Sequence, residues 1–297
     1  MDEEKNILDD KFMECISRWA EEECDDRLEK AISLFDEWES KFSDSEKEVV
    51  AGLISNYNYY SKKKVIGILK ELDDKVINTY NVSNNDSIVS VIRKKNGLLG
   101  SSSDYWLNYS YLTKLSGDIF YDSLDYITPN QWKNIKNIIF VDDCSGTGET
   151  IKKFLERQKN NFSNKQIIII LIEMMEDAYD NIMQYAKNKK LNVKIIPYYV
   201  AQKAFFKKDE KVIQKYCMTA HNIAIKSKNI FGYAQSEALM SFYNNSPNNT
   251  LGIFWEDTEI YNSIFPRKKK EKAGWKNNDN AIVNRRKQQY FAKKRDK

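Results

Sequence analysis

The sequence is poor in the residues from which metal and redox sites are built. It contains one histidine, His221, and only four cysteines, which are Cys15, Cys24, Cys144 and Cys217. The cysteines lack the CxxC spacing of a structural zinc site or a redox pair, and one histidine excludes a site with several histidine ligands. We expect reduced thiols and a histidine that lies on the surface of a helix.

Long apolar runs and a signal for export are also absent. No stretch of about 18 apolar residues occurs, and the first ten residues, MDEEKNILDD, are acidic where a secretory signal is basic and then apolar. The chain has 297 residues, of which 41% are hydrophobic, and this is enough to fill a core. These features predict a globular, soluble, cytoplasmic protein that has no contact with a membrane.

The net charge of +4 is small but unevenly distributed. Residues 1–50 contain 7 Lys/Arg against 18 Asp/Glu, whereas residues 266–297 contain 13 Lys/Arg against 3 Asp/Glu. Trp275, Tyr290 and Phe291 lie among these basic residues. A basic segment with aromatic residues is suited to a nucleic-acid backbone or an acidic protein surface. The alternative, a solvated tail without a partner, remains open.

Apolar spacing divides the chain into three segments. Residues 12–80 carry apolar residues at helical spacing, which predicts three amphipathic helices, and the asparagine-rich stretch 81–87 predicts a boundary. Short apolar runs that alternate with helical segments follow, which predicts an α/β fold, a mostly parallel sheet flanked by helices. The expected strands are 88–93, 137–142, 166–174, 192–200 and 251–255. The expected segments are a helical part at 1–85, an α/β domain at 86–265 and a basic tail at 266–297.

The stretch NIIFVDDCSGTGETIKKFLERQ, residues 137–158, is typical of a phosphate-binding loop. An apolar strand ends, a short loop follows, and a helix begins. A helix N-terminus offers unpaired N–H groups and a favourable dipole to an anion, and glycines allow the backbone to approach it. The expected contacts come from small residues of the loop, which are Ser145, Gly146, Thr147, Gly148 and Thr150.

Two adjacent acids, Asp142 and Asp143, precede this loop. Carboxylates repel a phosphate but accept hydrogen bonds from vicinal sugar hydroxyls, so the pair indicates a phosphorylated ribose. A Walker A loop is excluded because Glu149 follows Gly148 where that motif has lysine, and a GxGxxG motif is also absent. The alternative is a capped helix N-terminus with glycines used only for a tight turn.

The segment FVDDCSGTGET resembles the phosphoribosyl pyrophosphate signature of type I phosphoribosyltransferases, and residues 86–205 follow the order of that fold. The resemblance implies that Asp142 and Asp143 hold the ribose 2- and 3-hydroxyls, and that residues 145–150, Glu149 included, surround the 5-phosphate. It implies Mg²⁺ as a cofactor, held through the bound ligand rather than directly by the two acids. The implied activity is that of a pentosyl-transferring glycosyltransferase.

The same resemblance implies a second binding loop and a cover for the site. In the family, a loop after an early strand contacts pyrophosphate, and this loop corresponds here to Arg93, Lys94 and Lys95. A basic loop that is merely solvated is the alternative. Residues 97–118 are the candidate for the mobile hood of the family.

The segment 231–257 and the following SIFPR resemble phosphoribosyltransferase-like proteins of bacterial phage-defence loci, some of them associated with retrons. This implies a role in antiviral defence and a dimer or a hetero-complex. Asn248, Asn249 and Thr250 are candidates to supply amide groups near the site, although SPNN also forms a turn by itself.

The chain departs from the family at one position of the loop. Hypoxanthine-guanine enzymes have a catalytic carboxylate where this sequence has Gly146, which makes a purine acceptor doubtful. Three interpretations follow: an enzyme that transfers phosphoribosyl groups, a sensor that binds the ligand without turnover, and a structural protein of a defence complex.

Overall fold

The structure, a computed structural model, describes residues 7–93 and 102–268. The described residues up to Arg267 belong to one compact unit. Its helices are α1 Ile7–Trp19, α2 Asp26–Glu39, α3 Asp44–Ile54, α4 Lys62–Tyr80, α5 Ser102–Leu112, α6 Pro129–Asn134, α7 Glu149–Gln158, α8 Glu176–Asn188 and α9 Glu210–Asn222. Its strands are β1 Asn58–Tyr60, β2 Ser87–Ser90, β3 Asn137–Ser145, β4 Gln166–Met175, β5 Asn192–Ala201 and β6 Met240–Phe242.

The main sheet has four parallel strands in the order β2-β3-β4-β5. Its central strands are rich in isoleucine, and almost every residue of β4 is buried, as expected for strands that are covered on both sides. Helix α5 packs against β3, and α8 packs against β4 and β5. The predicted fold class, a mostly parallel sheet flanked by helices, is confirmed.

A second sheet joins two distant parts of the chain. Strands β1 and β6 pair in parallel, with Asn58 opposite Met240 and Tyr60 opposite Phe242. The rings of Tyr60 and Phe242 stack with centroids 5.1 Å apart. This small sheet ties the start of α4 to the segment that follows α9.

The apolar side chains of the described residues form two cores. One core surrounds the main sheet. The other combines α1–α3 with residues from 205–265. Its contacts include pairs of aromatic rings: Trp38 lies 6.2 Å from Phe254, and Trp19 lies 5.7 Å from Phe265, measured between ring centroids. The helical segment thus folds together with the last part of the compact unit.

Between residues 7 and 85, the described part of the helical segment, there are four helices rather than three. Helices α2, α3 and α4 correspond to the predicted ones, and α1 is additional. Helix α1 buries Leu8, Phe12, Cys15 and Trp19 along one side. None of the described helices is both long and apolar enough to cross a membrane.

The predicted strand 251–255 is wrong. Residues Gly252–Phe254 form a 3₁₀ helix, and Thr250, just before them, makes an isolated bridge with Ala238. The chain turns here because Phe254 N–H donates to Leu251 O at 3.1 Å and Glu256 N–H donates to Gly252 O at 2.9 Å. A short apolar run is buried equally well as a strand or as a turn, so the run alone does not distinguish the two.

Candidate functional site

The acid pair lies at the carboxyl end of β3, where ligands bind in open parallel sheets. Asp142 Oδ1 accepts a hydrogen bond from Asp143 N–H at 2.9 Å, and Asp143 Oδ1 accepts one from Cys144 N–H at 2.7 Å. Each carboxylate is therefore fixed by the backbone of the next residue. Both side chains are half-buried, so they are oriented without being sealed from a ligand.

Gly148 forms the turn from the loop into α7. It is the N-cap residue, with a φ of 76°, in the left-handed region that favours glycine. A methyl group at this position would lie 2.8 Å from Ile182 Cγ1 and 3.0 Å from Ala178 O, both on α8. The turn is thus pressed against α8, and both its backbone angle and its surroundings require glycine.

Gly146 is in close contact with Asn249. A methyl group on Gly146 would lie 2.0 Å from Asn249 Nδ2 and 2.4 Å from its Cγ. The amide of Asn249 also donates to Ser236 Oγ at 3.2 Å. The structure therefore brings Asn249, a predicted source of an amide group, directly onto the loop.

The remaining loop residues differ in exposure. Ser145 is buried, Thr147 is half-buried and Thr150 is exposed. Glu149 forms ion pairs with two lysines of its own helix, Lys152 at 2.5 Å and Lys153 at 3.8 Å. The hydrogen bond from Lys152 is the main reason why the pKa of Glu149 lies below its usual value. The side chain of Glu149 thus lies against two lysines of its own helix. They partly neutralise its negative charge, which stands beside the expected position of the phosphate.

Arg267 is a further cation at this site, and it lies within the predicted basic tail. Its guanidinium donates to Ser246 O at 2.9 Å and lies 5.8 Å from the centroid of the Trp255 ring. Burial lowers the pKa of Arg267, whereas the nearby charge of Asp143 acts in the opposite direction. The sequence did not single out Arg267 as a site residue, because it was counted with the basic tail, although it is part of the SIFPR motif.

The predicted pyrophosphate loop is only partly described, because Lys94 and Lys95 lie outside the described residues. Arg93 forms an ion pair with Asp122, with Nη2 3.5 Å from Oδ2, and Arg157 donates to Arg93 O. Arg93 is thus already engaged with an acid in this structure. Of the expected hood, residues 97–101 are also outside the described part.

The described residues contain no group of three or more His, Cys, Asp or Glu that could hold a metal ion. His221 is exposed in the last turn of α9, as predicted. Cys144, which follows the acid pair, is a free thiol. Burial raises the pKa of this thiol, and the charges of Asp143, Asp142 and Glu173 raise it further.

Glu173 was not predicted from the sequence. It pairs in register with Cys144, one strand away from the loop, and only 1% of its surface is exposed. Its Oε2 accepts hydrogen bonds from Tyr60 Oη at 2.7 Å and from Asn58 Nδ2 at 3.0 Å. Burial raises the pKa of Glu173 to about 7. Glu173 follows a continuous apolar run, so it was read as part of a buried strand. Its position at the end of a central strand could have indicated a functional role.

Comparisons with known proteins agree with the family resemblance. Residues 35–267 match the model of the PRTase-CE family. No curated protein matches the chain. Xanthine-guanine-hypoxanthine phosphoribosyltransferase of Helicobacter pylori is 14% identical over 54% of this chain and 99% of that chain, with a TM-score of 0.32. Orotate phosphoribosyltransferase from Aeropyrum pernix is 14% identical over 52% of this chain and 80% of that chain, with a TM-score of 0.28.

Both structures are distant from this chain, whereas the family match spans well over half of its 297 residues. The predicted relation to phosphoribosyltransferase-like proteins is confirmed, and the subgroup found in defence loci stays a prediction. The chain belongs to the PRTase-CE family.

Proposed function

We propose that the protein binds magnesium-chelated phosphoribosyl pyrophosphate at residues 142–150 and transfers the phosphoribosyl group to an acceptor. The observation that carries this proposal is the junction of β3 and α7. Two oriented carboxylates stand there beside a glycine loop that opens a helix, in a member of a phosphoribosyltransferase-like family.

Backbone N–H groups at the start of α7 are the proposed partners of the 5-phosphate, and the helix dipole favours its charge. Asp142 and Asp143 accept hydrogen bonds from the ribose hydroxyls. Arg267 offsets part of the repulsion between these acids and the phosphates, because its positive charge lies near Asp143. The loop 93–95 is proposed to contact the pyrophosphate group.

The residues present fit a magnesium ion that arrives with the ligand. Mg²⁺ commonly binds one or two carboxylates together with substrate phosphates, rather than an all-protein cage. The described residues contain no group of three or more His, Cys, Asp or Glu that could form such a cage. When bound, Mg²⁺ would neutralise charge that develops on the pyrophosphate group. The acid pair acts on it only through the ligand.

The proposed reaction is displacement of pyrophosphate at the anomeric carbon through an oxocarbenium-like transition state. The protein contributes mainly orientation, because the carboxylates are already held by backbone N–H groups before the sugar arrives. Such preorganised charge stabilises a cationic sugar without further rearrangement.

Calorimetric titration with phosphoribosyl pyrophosphate and Mg²⁺ tests the proposal. We expect the native protein to bind and the double variant Asp142→Asn/Asp143→Asn to lose binding. The matched control is Asp118→Asn/Asp180→Asn, which removes the same charge from two exposed positions and should bind like the native protein. Absence of binding by the native protein would contradict the proposal.

A second candidate function is a sensor that binds the ligand without turnover. It is favoured by Gly146, which stands where some relatives have a catalytic carboxylate and which contacts Asn249 instead. Tight binding without release of pyrophosphate would support the sensor over the transferase. A role in phage defence would be compatible with either function.

A further inference from the structure

Glu173 has an oxygen atom that the fold leaves without a partner. Whereas Oε2 accepts two hydrogen bonds, Oε1 is buried and has no hydrogen-bond partner among the described residues. Buried polar groups are almost always paired, because an unpaired one costs folding free energy. An acid that is retained in this condition at the end of a central strand suggests a role other than stability.

The acid borders a cleft that is large enough for a small molecule or for one group of a larger molecule. The cleft has a volume of about 700 Å³, in the range of ligand sites. It lies at the carboxyl ends of β4 and β5, beside the strand that carries the acid pair. Its lining is largely polar and includes Arg18, Asn58, Glu173, Tyr199, Gln202 and Lys203.

Two relations connect this cleft to the loop. Glu173 pairs in register with Cys144, which directly follows the acid pair, and neighbouring strands lie about 4.8 Å apart. The charge of Glu173 also acts on the Cys144 thiol, as do the charges of Asp142 and Asp143. The unpaired acid and the proposed ribose position therefore belong to one continuous edge of the sheet.

We propose that this cleft receives the acceptor, and that Glu173 takes the proton from an acceptor nucleophile that arrives neutral, such as an amine, an amide or a hydroxyl group. This inference rests on the proposed transfer of a phosphoribosyl group. In this proposal, Glu173 supplies the base that is missing from the loop, where Gly146 stands in place of a carboxylate. An acceptor that is already anionic needs no base, and an ionised Glu173 would repel it.

The step balances without a further reactant. The nucleophilic atom of the acceptor forms a bond to the anomeric carbon, and the bond from that carbon to the pyrophosphate oxygen breaks. Pyrophosphate leaves with the electron pair of the broken bond. The proton of the acceptor moves to Glu173 Oε1, which becomes a carboxylic acid and later releases the proton to water.

The surroundings of Glu173 are consistent with a base that works near neutral pH. Burial raises its pKa to about 7, while hydrogen bonds from Tyr60 and Asn58 and the charge of Lys64 lower it. A base is most effective when its pKa lies near the working pH. The charged or titratable groups around it come from several elements. They include Tyr57, Tyr60, Lys64, Cys144 and Tyr199, and Arg18, Glu176 and Lys203 line the same cleft.

Release of pyrophosphate from magnesium-chelated phosphoribosyl pyrophosphate tests this role, with water and then hydroxylamine as acceptor probes. We expect the rate of the native protein to rise with pH through about pH 7. Glu173→Gln should reduce the rate by about 100-fold and remove this rise, a usual effect of losing a general base. Its calorimetric affinity for phosphoribosyl pyrophosphate should not change.

Two further variants separate a catalytic role from a structural one. Tyr60→Phe removes one hydrogen bond to the ionised carboxylate, so the rise in rate should move to higher pH. Its ring can keep the stacking on Phe242. The matched control is Glu39→Gln, which neutralises another buried acid, in α2, and should behave like the native protein.

The inference is overturned if Glu173→Gln keeps the native rate and pH profile, or if Tyr60→Phe leaves the profile in place. It is also overturned if the native protein binds phosphoribosyl pyrophosphate but releases no pyrophosphate with either probe. Failure of the proposed function is seen separately, as absence of ligand binding in the titration.

Discussion

Replacement of Gly146 by alanine is the most direct test of the loop geometry. The added methyl group would lie 2.0 Å from Asn249 Nδ2, whereas ordinary contacts begin at 3.4 Å. The amide must therefore retreat by about 1.4 Å, the difference between these two distances. This movement pulls Asn249 away from Ser236 Oγ, with which it shares a hydrogen bond of 3.2 Å.

Two costs determine the size of the effect. Overpacking of a close contact usually lowers the free energy of unfolding by about 1–3 kcal/mol. Loss of the hydrogen bond to Ser236 adds about 1 kcal/mol. We therefore expect Gly146→Ala to lower the free energy of unfolding by about 2–4 kcal/mol. Asn249→Gly loses the same hydrogen bond but creates no clash, so its cost should be smaller.

A double-mutant cycle in a denaturant titration measures the contact itself. In Gly146→Ala/Asn249→Gly the clash disappears and the hydrogen bond is lost only once, so the double variant should lose about 2–4 kcal/mol less than the sum of the two single effects. Asn249→Ala should rescue less, because its Cβ still lies 2.8 Å from the new methyl group. Additivity within about 0.5 kcal/mol would refute the contact.

Three further outcomes are expected. Gly148→Ala should lower the free energy of unfolding by at least about 1–2 kcal/mol, because its φ is 76°; a loss below about 0.5 kcal/mol would contradict this turn. The pKa of Glu173 is raised from 4.5 to about 7, so the fold favours its protonated form. Its contribution to stability is complete below about pH 4.5 and is lost as pH rises towards 7. Compared with Glu173→Gln, the native protein should lose about 3 kcal/mol of its free energy of unfolding over this pH range, as measured in unfolding titrations. A difference between the two proteins that does not change with pH would exclude the raised pKa. Any affinity for single-stranded nucleic acid should fall steeply with salt and vanish on removal of residues 269–297, which keeps Arg267 in place, and retention of binding would contradict a role of this part of the basic tail.

Much of the sheet was predictable from the sequence. Strands β2 to β5 were expected at nearly their observed positions, because isoleucine-rich runs between helical segments favour buried parallel strands. The three-residue strands β1 and β6 were missed. They are too short to show alternation, and each exists only because the other lies beside it. Pairing between distant segments leaves no local signal.

The site was predictable as far as it is local. The acid pair, the two glycines and the helix start all lie within residues 142–150, so their spacing alone indicated a phosphate loop. The contacts made by Asn249 and Arg267 depend on segments that are distant in the sequence. Glu173 was hidden because a carboxylate inside an apolar run gives no periodic signal of its own.

The mixed composition of the second core has a consequence for synthesis and folding. Trp38 packs against Phe254, so α2 cannot bury this side chain until more than 200 further residues have been made. At about 5–20 residues per second, the apolar sides of the first helices wait roughly 10–40 s for their partners. During that time the nascent chain exposes aromatic surface that favours aggregation. We therefore expect chaperones to bind these helices during translation, and a fragment that stops before residue 205 to be poorly soluble.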